Sequence, residues 1–280
     1  MSVIRVFPRR TSLTPDDPYA FVGDPPFEGW RPEANEVHVS CAFTWDIKES
    51  ERLAGAWSQY YPVVYLGGPA IDRNGNEFIP GRYLMNGVTF TSKGCNNKCS
   101  HCLVPEYEGK LTEIDNFHPG YIIQDNNLLQ CSRGHIRKVF DMLRVQRRSA
   151  IFSGGIDARL VTDDIVELFK SIRINQLFLA ADTMAALSPL QEAFNKLSYL
   201  GRRKLRCYVM IGKDETIEQA EIRLKSVWNI GCLPFSQLYQ PKDKWIDYPQ
   251  NWKKLNRLFS RPAATKSIME EVGEIGERND

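Results

Sequence analysis

The 280-residue sequence predicts an α/β protein, a parallel sheet or partial barrel preceded by a small β-α-β unit. Three observations carry this. Six near-continuous apolar runs recur between Val88 and Tyr239, as expected of strands buried on both faces. Segments with helical apolar periodicity separate them, the alternation of right-handed βαβ units. A shorter strand-helix-strand pattern stands upstream, over residues 37–68.

Residues 1–36 are crowded with Asp-Pro and Pro-Pro steps and read as an irregular, turn-rich arm. A strand follows at 37–43, then a helix from Ser50 to Tyr60 that turns Leu53, Ala56, Trp57 and Tyr60 to one side. A second strand at 63–68 ends in a glycine turn and a polar loop at 70–78. Residues 1–86 are therefore expected to be a proline-rich arm plus a small Rossmann-like β-α-β unit.

The six further strands are expected at 88–92, 121–125, 150–154, 176–181, 206–212 and 233–239, within a domain spanning 87–240. Ser132 is placed to cap a helix with Ile136, Val139, Phe140 and Leu143 inward. Ile165, Leu168, Phe169 and Ile172 mark the next. Ser188 with Gln191, and Thr216 with Gln219, each read as a capping box. Residues 241–280 read as a C-terminal extension with a charged end that frays.

Apolar residues are 42% and charged residues 25%, ordinary for a soluble protein. No apolar run approaches the roughly 20 residues of a bilayer span. The start, MSVIRVFPRR, lacks a signal-peptide core. A cytoplasmic protein without membrane attachment is expected. The net charge of +2 neither demands nor excludes nucleic acid. Two basic clusters, Arg144–Arg148 and Arg202–Arg206, read as solvated helix ends, with phosphate binding as the alternative.

Seven cysteines occur, and three crowd into one short segment, TSKGCNNKCSHCLVPEYEGK. In a reducing compartment such a triplet reads as metal binding. The other four, Cys41, Cys131, Cys207 and Cys232, read as small buried residues. Structural zinc takes four protein ligands. Three thiolates leave one iron of a [4Fe–4S] cube open to a substrate or cofactor. His101 is a conceivable fourth ligand, but it lies between two of the cysteines.

Cys95-x3-Cys99-x2-Cys102, directly after the first strand of a six-strand alternation, resembles the radical S-adenosylmethionine superfamily. The resemblance runs from about Val88 to Gln240. It implies a partial (βα)6 TIM-like barrel, a [4Fe–4S] cluster on Cys95, Cys99 and Cys102, and S-adenosylmethionine on the open iron. It also implies an electron donor such as flavodoxin or ferredoxin. One-electron cleavage of that cofactor yields a 5′-deoxyadenosyl radical that abstracts hydrogen. His101 stands where the superfamily usually has an aromatic residue, and as a planar ring it is expected to pack on the adenine.

The remaining cofactor contacts are sought at the strand ends. The superfamily's Gly-Gly-Glu-Pro run is missing, and Asp125 and Asn127 are the expected substitutes toward the methionine ammonium; an Asx turn is the alternative. After the third strand come Ser153, Asp157 and Arg159. Arg159 is expected on the methionine carboxylate and Asp157 on the ribose, unless the two pair with each other. Asp182, Gly212 and Gln237 follow the later strands as ribose-, adenine- and substrate-side candidates. Lys93, before the triplet, and Lys98, within it, are charges able to tune a cluster, or solvated lysines.

The upstream unit, ending in LGGPA, looks like a cropped cobalamin-binding domain without the Asp-x-His-x-x-Gly loop, so no cobalamin is expected. The arm's Arg5, Phe7, Arg9, Arg10, Phe21, Phe27 and Trp30 are compatible with a nucleoside or nucleic-acid substrate, or with packing of the arm. A peptide or small metabolite is the other substrate expectation. A non-catalytic iron–sulfur or zinc protein and a plain nucleic-acid-binding module are the competing classes.

Overall fold

The structure, a computed structural model, describes residues 2–71, 78–242 and 244–277. The polar loop expected at 70–78 lies, from 72 to 77, outside the described residues. The chain divides into two units, Met1–Val88 and Thr89–Asp280. The division falls close to the expected boundary after residue 86, but 241–280 belongs to the second unit.

The first unit holds β1 (Val3–Phe7), β2 (Ala20–Val22), β3 (Glu36–Ser40), α1 (Ile47–Trp57) and β4 (Val64–Gly67). They form a four-stranded parallel sheet in the order β2-β1-β3-β4. The arm is thus not irregular: it supplies two strands, one of them central. Arg5 disguised β1, because a cation inside VIRVF breaks the apolar run. Its buried guanidinium donates to the Gly81 and Arg82 carbonyls, each at 3.2 Å, and to Asp17, while Nε has no partner among the described residues. Leu53 and Trp57 of α1 pack on Ile4, Val6, Val37 and Val39.

That packing is the alternative the sequence left open for part of the arm. Phe7 is buried, Phe21 meets the Trp57 ring at 5.4 Å, and Arg9 Nε donates to Asp46 at 2.7 Å. Phe27 and Trp30 remain exposed. Gly68, at φ +108, closes β4 against Cys41; a Cβ there would meet the Cys41 carbonyl at 2.6 Å.

The division falls inside β5 (Val88–Thr89); β6 (Ser92–Lys93), α2 (Val104–Tyr107), β7 (Thr112–Glu113) and β8 (Ile122–Ile123) follow. Then follow α3 (Arg133–Arg144), β9 (Ala150–Phe152), α4 (Asp163–Lys170), β10 (Ile174–Ala180), α5 (Leu187–Leu197), β11 (Leu205–Ile211), α6 (Ile217–Ile230) and β12 (Leu233–Leu238). Two helices end the chain, α7 (Gln250–Phe259) and α8 (Pro262–Glu277).

Six strands form one sheet in the order β5-β8-β9-β10-β11-β12, with parallel pairing from β8 through β12. Chain order equals sheet order, as successive βαβ units require. The expected barrel is established as far as this parallel sheet, whose edges are β5 and β12.

Along β11 the burial alternates. Leu205, Cys207, Val209 and Ile211 face the helices in the main core, while Arg206, Tyr208 and Met210 are partly exposed on the other face. Tyr208 stacks on Phe178 at 4.5 Å and meets Phe235 edge-on at 5.8 Å. Leu255, Phe259 and Met269 join the same core, so α7 and the start of α8 are part of the fold, while the end of the charged tail expected to fray, 278–280, lies outside the described residues.

The Ser132 cap forms, accepting from His135 N at 3.2 Å, and the Thr216–Gln219 box forms in full. The Ser188 box does not. A 3-10 turn at Met184–Ala186 runs straight into α5, so Ser188 already lies inside the helix and has no cap position to fill. No described helix is long and apolar enough to cross a membrane.

Candidate functional site

Parallel strands send all their carboxyl ends to one end of the sheet. The cysteine triplet arises there. Beyond β5 the chain leaves the sheet, and β6 pairs antiparallel with β7, so residues 94–111 form an excursion closed at its neck. Gly94 makes that neck possible: at φ +74, a Cβ would lie 2.3 Å from the Lys110 carbonyl. Glu108 accepts from Gly94 N at 2.8 Å and from Asn126 Nδ2 at 2.7 Å.

Asp125 anchors the approach to the loop from below. Its carboxylate accepts from Thr91 N at 2.7 Å, from Ser92 Oγ at 2.7 Å and from Thr91 Oγ1. It is 1% exposed, which corrects the expectation that it faces an ammonium: its acceptors are spent inside the protein. Burial pushes this carboxyl above the ordinary aspartate range, outweighing the bonds from Thr91 and Ser92.

Within the loop, Cys102 N donates to Cys99 O at 3.0 Å, and Asn97 N points at Cys95 Sγ at 3.4 Å. Gln130 clasps the first turn. Its Oε1 accepts from Asn96 N at 2.8 Å and lies 3.6 Å from Cys95 Sγ, while its Nε2 donates to Asn97 Oδ1 at 3.0 Å. Asn97 Nδ2 then donates to Asp157 Oδ2 at 3.0 Å.

Asp157 and Arg159 pair with each other, the alternative left open in the sequence. Arg159 Nε donates to Asp157 Oδ1 at 2.8 Å, and its Nη2 reaches Asn97 Oδ1 at 3.1 Å. Burial opposes the charge on Asp157, but bonds from Arg159 and Asn97 outweigh it and hold the carboxyl below its usual range. His101 Nε2 lies 3.3 Å from Asp182 Oδ2, whose other oxygen accepts from Met210 N at 2.8 Å. Lys213 Nζ donates to Ser100 Oγ at 2.7 Å.

Asn127 is 4% exposed, and its Nδ2 leans toward Asp157 Oδ2 at 3.5 Å. That carboxylate fixes the amide's orientation and leaves Oδ1 buried without a partner among the described residues. The Ser153 hydroxyl is occupied, accepting from Gln124 Nε2 at 2.7 Å. Gly212, expected to open toward adenine, instead backs onto Tyr248, whose ring would be 2.6 Å from a Cβ. Gln237 is exposed on the edge strand, opposite Met210. Lys93 and Lys98 are exposed.

All seven cysteines are free thiols; Cys41, Cys131, Cys207 and Cys232 are buried, as expected. Burial, then the neighbouring Cys102 and Cys95 and Asp182, pushes the Cys99 thiol up, and burial does the same to Cys102. Both shifts favour the neutral thiol in the metal-free chain, and a cation bound at the loop would oppose them. Among the described residues no three His, Cys, Asp or Glu side chains converge on a single-ion site. A cube differs in its demand, since each thiolate binds its own iron, and three thiols on one short loop are a donor set of that kind.

No protein-family model matches the chain, and no curated protein matches it.

Sequence reasoning missed Gly94, Asn97, Gln130 and Lys213. The Asn-Asn pair between the first two cysteines was the visible signal, because amides inside a metal loop commonly serve its hydrogen bonding.

Proposed function

We propose that the second unit is a radical S-adenosylmethionine enzyme, a partial (βα)6 barrel in which Cys95, Cys99 and Cys102 hold a [4Fe–4S] cluster. The observation that carries this reading is the set of contacts between the triplet loop and three successive strand ends. Asn97 meets Asp157 and Arg159 after β9, His101 meets Asp182 after β10, and Ser100 meets Lys213 after β11. A loop serving only as a structural clip has no need of polar groups from three strands.

A cluster held by Cys95, Cys99 and Cys102 would supply the electron for reductive cleavage of S-adenosylmethionine and, through it, hydrogen abstraction from a substrate. The chain's own residues divide the rest. Asn127 Oδ1, an acceptor without a partner, receives a proton-bearing nitrogen such as the methionine ammonium. Arg159, half exposed and already aligned by Asp157, offers its remaining N–H groups to the carboxylate. His101, steadied by Asp182, presents its ring to the adenine. Phe178, Tyr208 and Phe235 form an apolar floor that excludes water from the reacting groups. An external flavodoxin- or ferredoxin-like donor supplies electrons in a reducing cytoplasm, and a nucleoside or nucleic-acid base is the substrate class.

The test is anaerobic reconstitution with iron and sulfide, reduction by dithionite, addition of S-adenosylmethionine and quantification of 5′-deoxyadenosine by mass spectrometry. Formation that disappears in Cys99→Ala is the expected result. Stoichiometric zinc in protein purified without oxygen, or no 5′-deoxyadenosine from a verified four-iron protein given candidate substrates, overturns the proposal.

A further inference from the structure

The two basic clusters find no use in the site above, and the fold brings them to the opposite end of the sheet. Strands β9, β10 and β11 are parallel neighbours, so the segments entering them share one end. Arg147 and Arg148 precede β9, Arg173 precedes β10, and Arg202, Arg203 and Lys204 precede β11. Strands β9 and β11 lie two spacings, about 10 Å, apart on either side of β10, so cations 54 residues apart in sequence (Arg148 and Arg202) come to the same end of the sheet.

A cavity of about 730 Å³ lies at this end, lined by Asn175, Gln176, Arg202, Arg203, Lys204 and Arg206, with no acidic residue in its wall. Several of the cations are held in place. The Arg202 guanidinium lies 3.9 Å from the Trp228 ring centre and donates to the Trp228 carbonyl at 2.9 Å. Arg148 donates to the Tyr121 hydroxyl at 2.8 Å. Arg206 Nε is buried without a partner among the described residues. Arg203 and Lys204 are exposed and make no ion pair among the described residues. Glu270, the acid that acts on Arg202, faces Lys266 at 3.6 Å.

We propose that this cationic end binds the phosphodiester backbone of a nucleic-acid strand. Guanidinium forks match phosphate oxygens, and the exposed Arg203 and Lys204 have no carboxylate partner among the described residues. A compact anion asks for side chains converging on one point. Here they are spread across the entries of three strands, a spacing suited to successive phosphates. A concave wall admits a strand but not the convex face of a folded acidic protein. From Arg206 to Gly212 along β11 is roughly 20 Å, so the surface is separate from the cysteine end and its ligand contacts do not depend on a loaded cluster.

The experiment uses the full chain and a fluorescent oligothymidylate, with anisotropy read over a series of salt concentrations. Affinity is expected to fall with salt, with a log–log slope of about −0.7 for each phosphate engaged. Arg203→Ala with Lys204→Ala should shrink the slope by about 1.4, while Arg137→Ala with Lys254→Ala, an equal loss of charge elsewhere, leaves it unchanged. No binding at low salt, equal slopes for the two double variants, or displacement of the strand by tripolyphosphate at equal phosphate concentration each overturns the proposal. Because no cluster and no turnover are needed, this outcome is independent of the 5′-deoxyadenosine assay.

Discussion

Asn97 Nδ2 donates to Asp157 Oδ2 at 3.0 Å, joining the cysteine loop to the segment after β9 across 60 residues of chain. The same amide accepts from both Gln130 and Arg159. Asn97 is thus the hinge pin of the loop. Asn97→Ala is expected to keep the fold, because the residue is only partly buried, yet to release Cys95 from its clasp. Iron bound per chain after reconstitution should fall several-fold, with a melting temperature within a few degrees of the parent. Full iron loading in the variant would remove the clasp from the account.

The two aspartates of the site titrate in opposite senses. Asp125 has a raised pKa, so the folded protein holds its proton more tightly than the unfolded chain does. Its stabilising effect is present below the ordinary aspartate value and is lost as pH rises through the folded value. Asp157 is lowered, so its effect is present above the ordinary value and is lost as pH falls. Urea unfolding from about pH 3 to pH 7 should show Asp125→Asn flattening the first trend and Asp157→Asn the second. Identical pH profiles for the two variants would contradict both assignments.

Asp125→Ala is a different matter, since it strands buried donors on Thr91 and Ser92. A loss of about 2–4 kcal/mol is expected, read as a lower urea midpoint with unchanged slope.

Thiol reactivity should divide the cysteines. In the metal-free native chain Cys99, which is exposed, alkylates first, and Cys95 and Cys102 follow. Cys131 is pushed up to about 11 and Cys232 to about 12, both by burial, and Cys41 and Cys207 are fully enclosed. These four should react only after denaturation. Peptide mapping of iodoacetamide adducts against time separates the classes, and early labelling of any of the four would show that the core opens.

Gly154 marks the tightest approach in the site. A Cβ there would lie 2.0 Å from the Asp125 carbonyl, a backbone atom that cannot swing aside. Gly154→Ala should destabilise by about 2–3 kcal/mol. Gly155→Ala probes φ alone, since φ is +102 there and nothing lies within 4 Å, and should destabilise by about 1 kcal/mol. Thermal unfolding of the pair distinguishes crowding from backbone strain.

Sequence by itself determined what depends on neighbours within a turn or two of chain. The strand runs from β8 to β12, the inward faces of α3 and α4, the Ser132 and Thr216 caps and the crowding of three cysteines were all legible, because periodicity and capping act over three or four residues. Tertiary structure decided whatever pairs across distance. Arg5 reads as surface until two carbonyls and Asp17 surround it, which is why β1 went unseen. Asp125 reads as a ligand until strand register sets it under Thr91 and Ser92. Arg148 and Arg202 come to one end of the sheet only because β9 and β11 both flank β10. A charged side chain's role follows from which partner the fold brings within about 3 Å; Asp157 and Arg159, two residues apart, could be paired from sequence, whereas partners distant in the chain could not.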